Sequence, residues 1–135
     1  MPSKNGVTCL HLAAAQNQLD MTRYLVESKG FAPNVSTTSS QSQPIHVAAR
    51  SGNLEIVKYL VEEKKVDVTV KDKNFEDALT LSIKRKHAKL AIYLIELEVF
   101  DLTDCNERTG FNYFCYAVAK GCKSVATVIF TSLQI

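Results

Sequence analysis

The side chains that could ligate a metal ion or attack a substrate are three histidines, His11, His46 and His87, and four cysteines. A zinc site needs three or four such ligands that converge, and Cys-x-x-Cys pairs are a typical sign of one. The cysteines show no such pair or regular spacing: Cys9, Cys105, Cys115, Cys122. The sequence also has no Gly-rich phosphate loop and no Ser-His-Asp order. We therefore expect no enzyme activity, no metal and no cofactor.

Two of the histidines lie in a peptide that occurs twice. Thr8-Cys-Leu-His-Leu-Ala-Ala14 returns as Gln43-Pro-Ile-His-Val-Ala-Ala49, and Tyr-Leu-Val-Glu follows each copy at the same distance. The tetrapeptide recurs as Tyr93-Leu94-Ile95-Glu96, so Leu25, Leu60 and Leu94 are 35 and 34 residues apart, and Ile129 marks a fourth, degenerate copy. Such a period indicates stacked units, each too small to bury its own apolar face.

These residues resemble the ankyrin repeat, whose signature reads T-P-L-H-x-A on a 33-residue period. The resemblance covers about residues 3–132 and weakens in the third and fourth units, where Thr80 and Cys115 replace the histidine. It implies an all-α, ankyrin-type helical-repeat solenoid of about four helix-turn-helix units with projecting hairpin loops. We expect one domain, 1–135, with units at approximately 3–36, 37–70, 71–105 and 106–135.

Apolar spacing predicts first helices at 9–15 and 44–50 and second helices at about 19–28, 54–63, 88–97 and 123–131. The turn between the two helices needs a residue that tolerates positive φ. Gly52 and Gly121 adopt positive φ readily, and Asn17 can adopt it at a modest cost. Lys86 is at the corresponding position in the third unit, so we expect that turn to be strained. Alanines such as Ala49 let a first helix approach its neighbours closely.

The resemblance also implies roles for residues outside the helices. Glycine is expected at the hairpin tips, where Gln41 and Phe75 depart from the pattern. His11 and His46 are expected to hydrogen-bond within the scaffold, and the third and fourth units to lose this network. The Ser/Thr/Gln stretch 36–42 is expected to be the most mobile loop. His87 is expected to be an exposed residue at a helix start, and Cys115 a small core residue.

The resemblance places ligand binding on the concave face, formed by the first helices and the hairpin tips. The exposed positions there carry seven basic residues and one acidic residue, although the whole chain has 16 Lys and Arg against 14 Asp and Glu. This charge favours an acidic partner. The residues expected to bind it are Arg50, Lys73, Lys84, Arg85, Arg108, Phe111 and Lys120. Phe111 would be the aromatic anchor.

The favoured function is therefore a protein-protein interaction module that binds another protein with an acidic surface or peptide. The alternatives are a regulatory or targeting segment of a larger enzyme, effector or channel, and a binder of anionic lipid or nucleic acid. The basic run 84–89 is compatible with anionic lipid or nucleic acid. Nucleic acid is disfavoured, because no aromatic residues that could stack on bases are interleaved with the basic ones.

Other features of the sequence bear on the protein's location in the cell and on the extent of the repeat row. No apolar run is long enough to span a bilayer, and residues 1–20 lack the pattern of a secretory signal. We expect reduced cysteines and a cytoplasmic or nuclear protein that is not secreted. Neither end of the sequence has the polar face of a capping unit. We therefore expect a longer repeat array, or ends that contact another molecule.

Overall fold

The computed structural model describes residues 6–103, 106 and 109–133. In those ranges the chain forms eight helices and no β-strand. They are α1 (Cys9–Ala15), α2 (Leu19–Arg23), α3 (Pro44–Ser51), α4 (Leu54–Lys58), α5 (Ala78–Lys84), α6 (Ala88–Glu96), α7 (Tyr113–Ala119) and α8 (Lys123–Leu133). None of these helices is both long and apolar enough to cross a membrane.

The helices form four pairs, which we number units 1 to 4 in chain order. The first helices, α1, α3, α5 and α7, stand in a row, and each packs against its neighbours and against the second helix of its own unit. The predicted all-α helical-repeat fold is confirmed. The positions predicted for the helices agree with the structure, whereas the residues at which one unit passes to the next stay a prediction.

Most of the core is one buried apolar cluster that runs across the junctions between units, from Ala14 to Ile129. A second, smaller cluster lies within unit 1 and consists of Leu10, Ala13 and Leu25. Ala14, Ala48 and Ala49 are fully buried, which confirms that small side chains let the first helices approach one another. Burial of one Leu or Ile side chain stabilises a fold by about 1.5–3 kcal/mol, so each junction depends on a few such residues.

The ends of α2 and α4 differ from the expected α-helix. Each continues as a π-helical turn, at Tyr24–Ser28 and Tyr59–Glu63, so the bond from Lys29 N–H reaches Tyr24 O, five residues back. A residue with positive φ then ends the helix, and in the first unit this residue is Gly30. The same Tyr-Leu-Val-Glu sequence therefore forms the same π turn in both units.

The predicted turn residues do adopt positive φ. Between the paired helices these are Asn17, Gly52, Lys86 (φ 63°) and Gly121, and near the hairpin tips they are Gly6, Gln41, Phe75 (φ 61°) and Gly110. Gly52 has a second constraint, because a Cβ there would lie 2.5 Å from Nδ1 of His87. The backbone of Lys86 is strained as expected, since a Cβ disfavours this region.

Replacing Lys86 with glycine should stabilise the protein. A residue with a Cβ destabilises the folded state by about 1–2 kcal/mol when its backbone is left-handed, and glycine avoids this strain. Part of the gain is offset because glycine has more conformational freedom in the unfolded chain. We expect Lys86→Gly to raise the free energy of unfolding by roughly 0.5–1 kcal/mol, measured by urea denaturation. Arg85→Gly, at φ −97°, is the control and should lower it. A Lys86→Gly variant no more stable than the original protein would contradict the strained turn.

Candidate functional site

Each segment that joins two units folds back as a short hairpin. The closing bonds run from Thr37 N to Ser42 O (2.9 Å), from Asp72 N to Glu76 O (3.0 Å) and from Asn106 N to Phe111 O (2.8 Å). Asp72 shapes its hairpin further, because its Oδ1 accepts from the N–H groups of Asn74 and Glu76. The predicted hairpin loops are therefore present in the described segments.

Neighbouring hairpins are bonded to one another. The N–H of Lys73 donates to Ser40 O at 2.9 Å. Nδ2 of Asn106 donates to Phe75 O at 3.0 Å and lies 3.3 Å from Asn74 O. The hairpins consequently line one edge of the row of first helices.

Two histidines tie first helices to these hairpins. Nδ1 of His11 accepts from the Thr8 N–H at 3.0 Å, which leaves the ring proton on Nε2. Nε2 then donates to the carbonyls of Val35 and Ser42, at 3.1 and 3.0 Å. In unit 2, His46 repeats this arrangement between Gln43 N–H and Val70 O. The scaffold role expected of both histidines is confirmed.

Units 3 and 4 use carboxylate and amide caps where units 1 and 2 use imidazole. Oδ1 of Asp77 accepts from the Thr80 N–H at 2.9 Å, and its Oδ2 accepts from the hydroxyl of Tyr113 in the next unit. Burial raises the pKa of the Asp77 carboxyl. Asn112 caps α7 through the Cys115 N–H. The histidine network is lost as expected, but Asp77 and Tyr113 replace the link between units.

The hairpin and helix contacts position Arg50 at the centre of the expected surface. Its Nη2 donates to Oγ of Ser42 at 3.1 Å, and its backbone carbonyl accepts from Nε2 of His87 at 3.1 Å.

The expected exposure of His87 is wrong, because this bond and its packing on Gly52 leave the ring half-buried. Within the stretch 36–42, Thr37 and Ser42 are buried and are joined through the Ser42 N–H and Thr37 Oγ1. The expected mobility of this stretch stays a prediction.

Arg50, Lys84 and Arg85 line one polar cleft of about 230 Å³, which we call the central cleft. Its other lining residues are Ser40, Ser42, Asp72, Asn74, Glu76 and Leu81. Lys84 forms an ion pair with Glu76, a carboxylate that is only 11% exposed. Among the described residues no carboxylate forms an ion pair with Arg50 or Arg85. The two arginines are therefore the cations of the cleft that an incoming group can pair with.

An aromatic patch adjoins the central cleft. Nζ of Lys84 lies 6.0 Å from the centre of the Tyr116 ring. Phe111 packs edge-on against the same ring, with centroids 5.6 Å apart, and remains 45% exposed. Phe75, which is 42% exposed, lines a narrow crevice together with these two aromatic residues. The patch provides apolar contact area next to the arginines.

The remaining predicted residues lie further out. Lys73 is exposed on the hairpin that contributes Asp72 and Asn74 to the cleft. Lys120 is exposed at the end of α7, one unit along the row from Arg85. Arg108 lies outside the described residues. The structure thus brings Arg50, Lys84 and Arg85 together and places Phe111 beside them, and binding at any of these residues stays a prediction.

Sequence reasoning missed one residue of the cleft and one aromatic residue beside it. Asp72 is a buried polar residue whose role depends on contacts within its hairpin. Tyr116, which bridges Lys84 and Phe111, is in a first-helix position that sequence alone assigns to the core. Cys115 was expected in the core but is exposed, because nothing in the described part of the chain packs against its side of α7. The described residues contain no group of His, Cys, Asp and Glu suited to hold a metal ion.

Comparison with known proteins identifies the repeats directly. A family model described as ankyrin repeats (3 copies) matches residues 1–72. This range holds both histidine-containing copies and stops before Thr80 replaces the imidazole. No curated protein matches the sequence at a significant level.

Acidification should weaken the histidine bonds that hold this site. Burial lowers the pKa of both His11 and His46 below the ordinary value of 6.5. Above that value both folded and unfolded chains carry neutral rings, and as the pH falls the unfolded chain takes up protons first. We expect the melting temperature to fall as the pH is lowered from 7.5 to 5, followed by circular dichroism. His11→Gln/His46→Gln should be less stable at pH 7.5 but show a flatter pH dependence. An equally steep dependence in this double variant would contradict the assignment.

Proposed function

Because the chain belongs to the ankyrin repeat family, whose members are generally protein-protein interaction modules, we propose that it binds an acidic segment of another protein in the central cleft. The family is typically non-enzymatic, and the proposed role requires no catalysis. We also propose a cytoplasmic or nuclear location. Cys9 and Cys122 are free cysteines, which persist in reducing compartments.

The observation that carries the proposal is the position of Arg50 and Arg85 on one cleft without an ion-pair partner among the described residues. The Ser42 hydroxyl accepts a hydrogen bond from the Arg50 guanidinium, and the His87 imidazole holds the Arg50 backbone, so less side-chain freedom is lost when the guanidinium binds a carboxylate. A guanidinium group also matches a carboxylate in a two-bond geometry. The cleft is therefore preorganised for an acidic side chain.

Neighbouring charged and aromatic side chains determine which partner the cleft favours. Asp72 and Glu76 bring negative charge into the cleft, and Glu76 compensates the ammonium of Lys84. Lys84 therefore contributes less attraction than its charge suggests. Phe111 and Phe75 add exposed aromatic surface, which is enriched at the energetic centres of interfaces. The partner best suited to this arrangement carries acidic residues next to an apolar side chain.

Charge reversal tests the role of the arginines. We expect a fluorescein-labelled, glutamate-rich peptide that contains one leucine to bind the protein, with an affinity that falls as salt is added. Arg50→Glu/Arg85→Glu should weaken binding by about tenfold at low salt, since each exposed pair contributes up to about 1 kcal/mol. Fluorescence anisotropy measures both effects.

A matched control separates the site from net charge. Lys89→Glu/Lys123→Glu changes the net charge equally, at exposed positions on second helices outside the cleft. It should leave affinity within about twofold of the original protein, since surface charges far from the partner act only through screened fields. An equal loss in both double variants would contradict the proposal. So would binding of anionic vesicles or single-stranded nucleic acid in preference to the peptide.

A further inference from the structure

Units 2 and 3 contain the same contact between the end of a first helix and the hairpin that precedes it. Nη2 of Arg50 donates to Oγ of Ser42, and Nζ of Lys84 donates to Oε2 of Glu76. In both units the partners are eight positions apart, and Arg50 and Lys84 are equivalent in the repeat. A neutral hydroxyl accepts the bond in unit 2, whereas a carboxylate accepts it in unit 3. Two equivalent cations therefore have partners of different charge.

The charge of the partner determines what each cation offers to a ligand. The Ser42 hydroxyl holds the guanidinium of Arg50 without neutralising it, and no carboxylate among the described residues forms an ion pair with that group. Glu76 neutralises the ammonium of Lys84, and its side chain is only 11% exposed. A carboxylate that is largely removed from water is destabilised when its cation leaves it. Lys84 is therefore retained by Glu76 rather than released to a ligand.

A ligand carboxylate next to Lys84 would meet repulsion. It would share one ammonium with the carboxylate of Glu76, and Asp72 brings a further carboxylate into the same cleft. Opposed like charges are one way in which an interface rejects a wrong partner. Phe111, which packs on the Tyr116 ring beside Lys84, instead offers exposed aromatic surface to an uncharged side chain.

We propose that Glu76 determines the specificity of the central cleft, an inference that rests on the proposed function. The cleft accepts one acidic side chain at Arg50 and Arg85 and rejects a second one at Lys84. Without the carboxylate of Glu76, the same cleft would bind acidic side chains at both places.

The spacing of the units sets the distance between these two places along a ligand. Packed helices lie about 8–10 Å apart, and an extended chain rises about 3.3 Å per residue. The step from Arg50 to the equivalent Lys84 therefore corresponds to roughly three residues of an extended ligand. An acidic residue three positions from the first one is the residue that Glu76 excludes.

Two peptides that differ only in charge test this inference. Both carry one central glutamate and one leucine in a glycine and serine background. The second peptide has further glutamates three residues before and after the central one, where the first has glutamine, so either direction of the bound chain is covered. Titrations of the full chain followed by heteronuclear NMR give both dissociation constants, and the Nε resonances of Arg50 and Arg85 identify the site.

The variant Glu76→Gln should change the ratio of the two dissociation constants. The original protein should bind both peptides within about twofold of each other, because Glu76 offsets what the added glutamates gain. Glu76→Gln should prefer the three-glutamate peptide by about fivefold, the upper end of the effect of one exposed ion pair. The substitution keeps the shape of the side chain and the backbone N–H that bonds to Asp72, and circular dichroism verifies the fold.

Two controls assign this change to the ion pair. Glu55→Gln removes the same charge at an exposed position on α4, outside the cleft, and should leave the ratio as in the original protein. Glu76→Gln/Lys84→Gln should also return to that ratio, because the second place then has no cation.

Four results would overturn the inference. They are a fivefold preference already present in the original protein, an unchanged ratio in Glu76→Gln, an equal change in Glu55→Gln, and a gain that persists without Lys84. A one-glutamate peptide that still binds at Arg50 and Arg85 would leave the proposed function standing in each of these cases. If neither peptide shifts the arginine resonances, the inference and the proposed function both fail.

Discussion

The structure depends on the burial of each unit's apolar face by its neighbour. Ala14, Ala49 and Ile83 are fully buried where another unit follows, and Val118 at the same position is exposed. The difference does not arise from residue type, since Ile83 and Val118 are both large and branched. It arises because a unit packs over Ile83, whereas no unit within the described residues packs over Val118. Stability in such a row is a sum of unit and junction terms rather than the property of one closed core.

The contacts that join units also shape the central cleft. His11 bonds to the Ser42 carbonyl of the next unit, and the Ser42 hydroxyl holds Arg50. His87 of unit 3 reaches back to the Arg50 carbonyl. Units 1 and 3 therefore hold the backbone around Ser42 and Arg50, and the Ser42 hydroxyl is the group to which the guanidinium itself bonds. A change at either junction would shift this backbone and, with it, the guanidinium group.

Much of the fold was predictable because it follows from repetition. The spacing of Leu25, Leu60 and Leu94 predicts the second helices, and the turn pattern predicts positive φ even at Lys86, where the residue itself argues against it. The site was predictable only in outline. Period and charge indicate that Arg50 and Arg85 share a face, but they do not reveal the ion pair between Lys84 and Glu76. That pair depends on side-chain contacts between a hairpin and a helix. The exposure of Cys115 also depends on packing that a local pattern does not record.

Amide hydrogen exchange, followed by mass spectrometry, tests the dependence on neighbours most directly. Unit 2 is covered on both sides and carries His46, whereas unit 4 exposes Val118 and Phe130. Amides in 44–63 should therefore exchange more slowly than amides in 113–133, because local opening of unit 4 breaks only one junction. The comparison is made at a protein concentration where the chain is monomeric. Equal or greater protection of 113–133 would contradict the account.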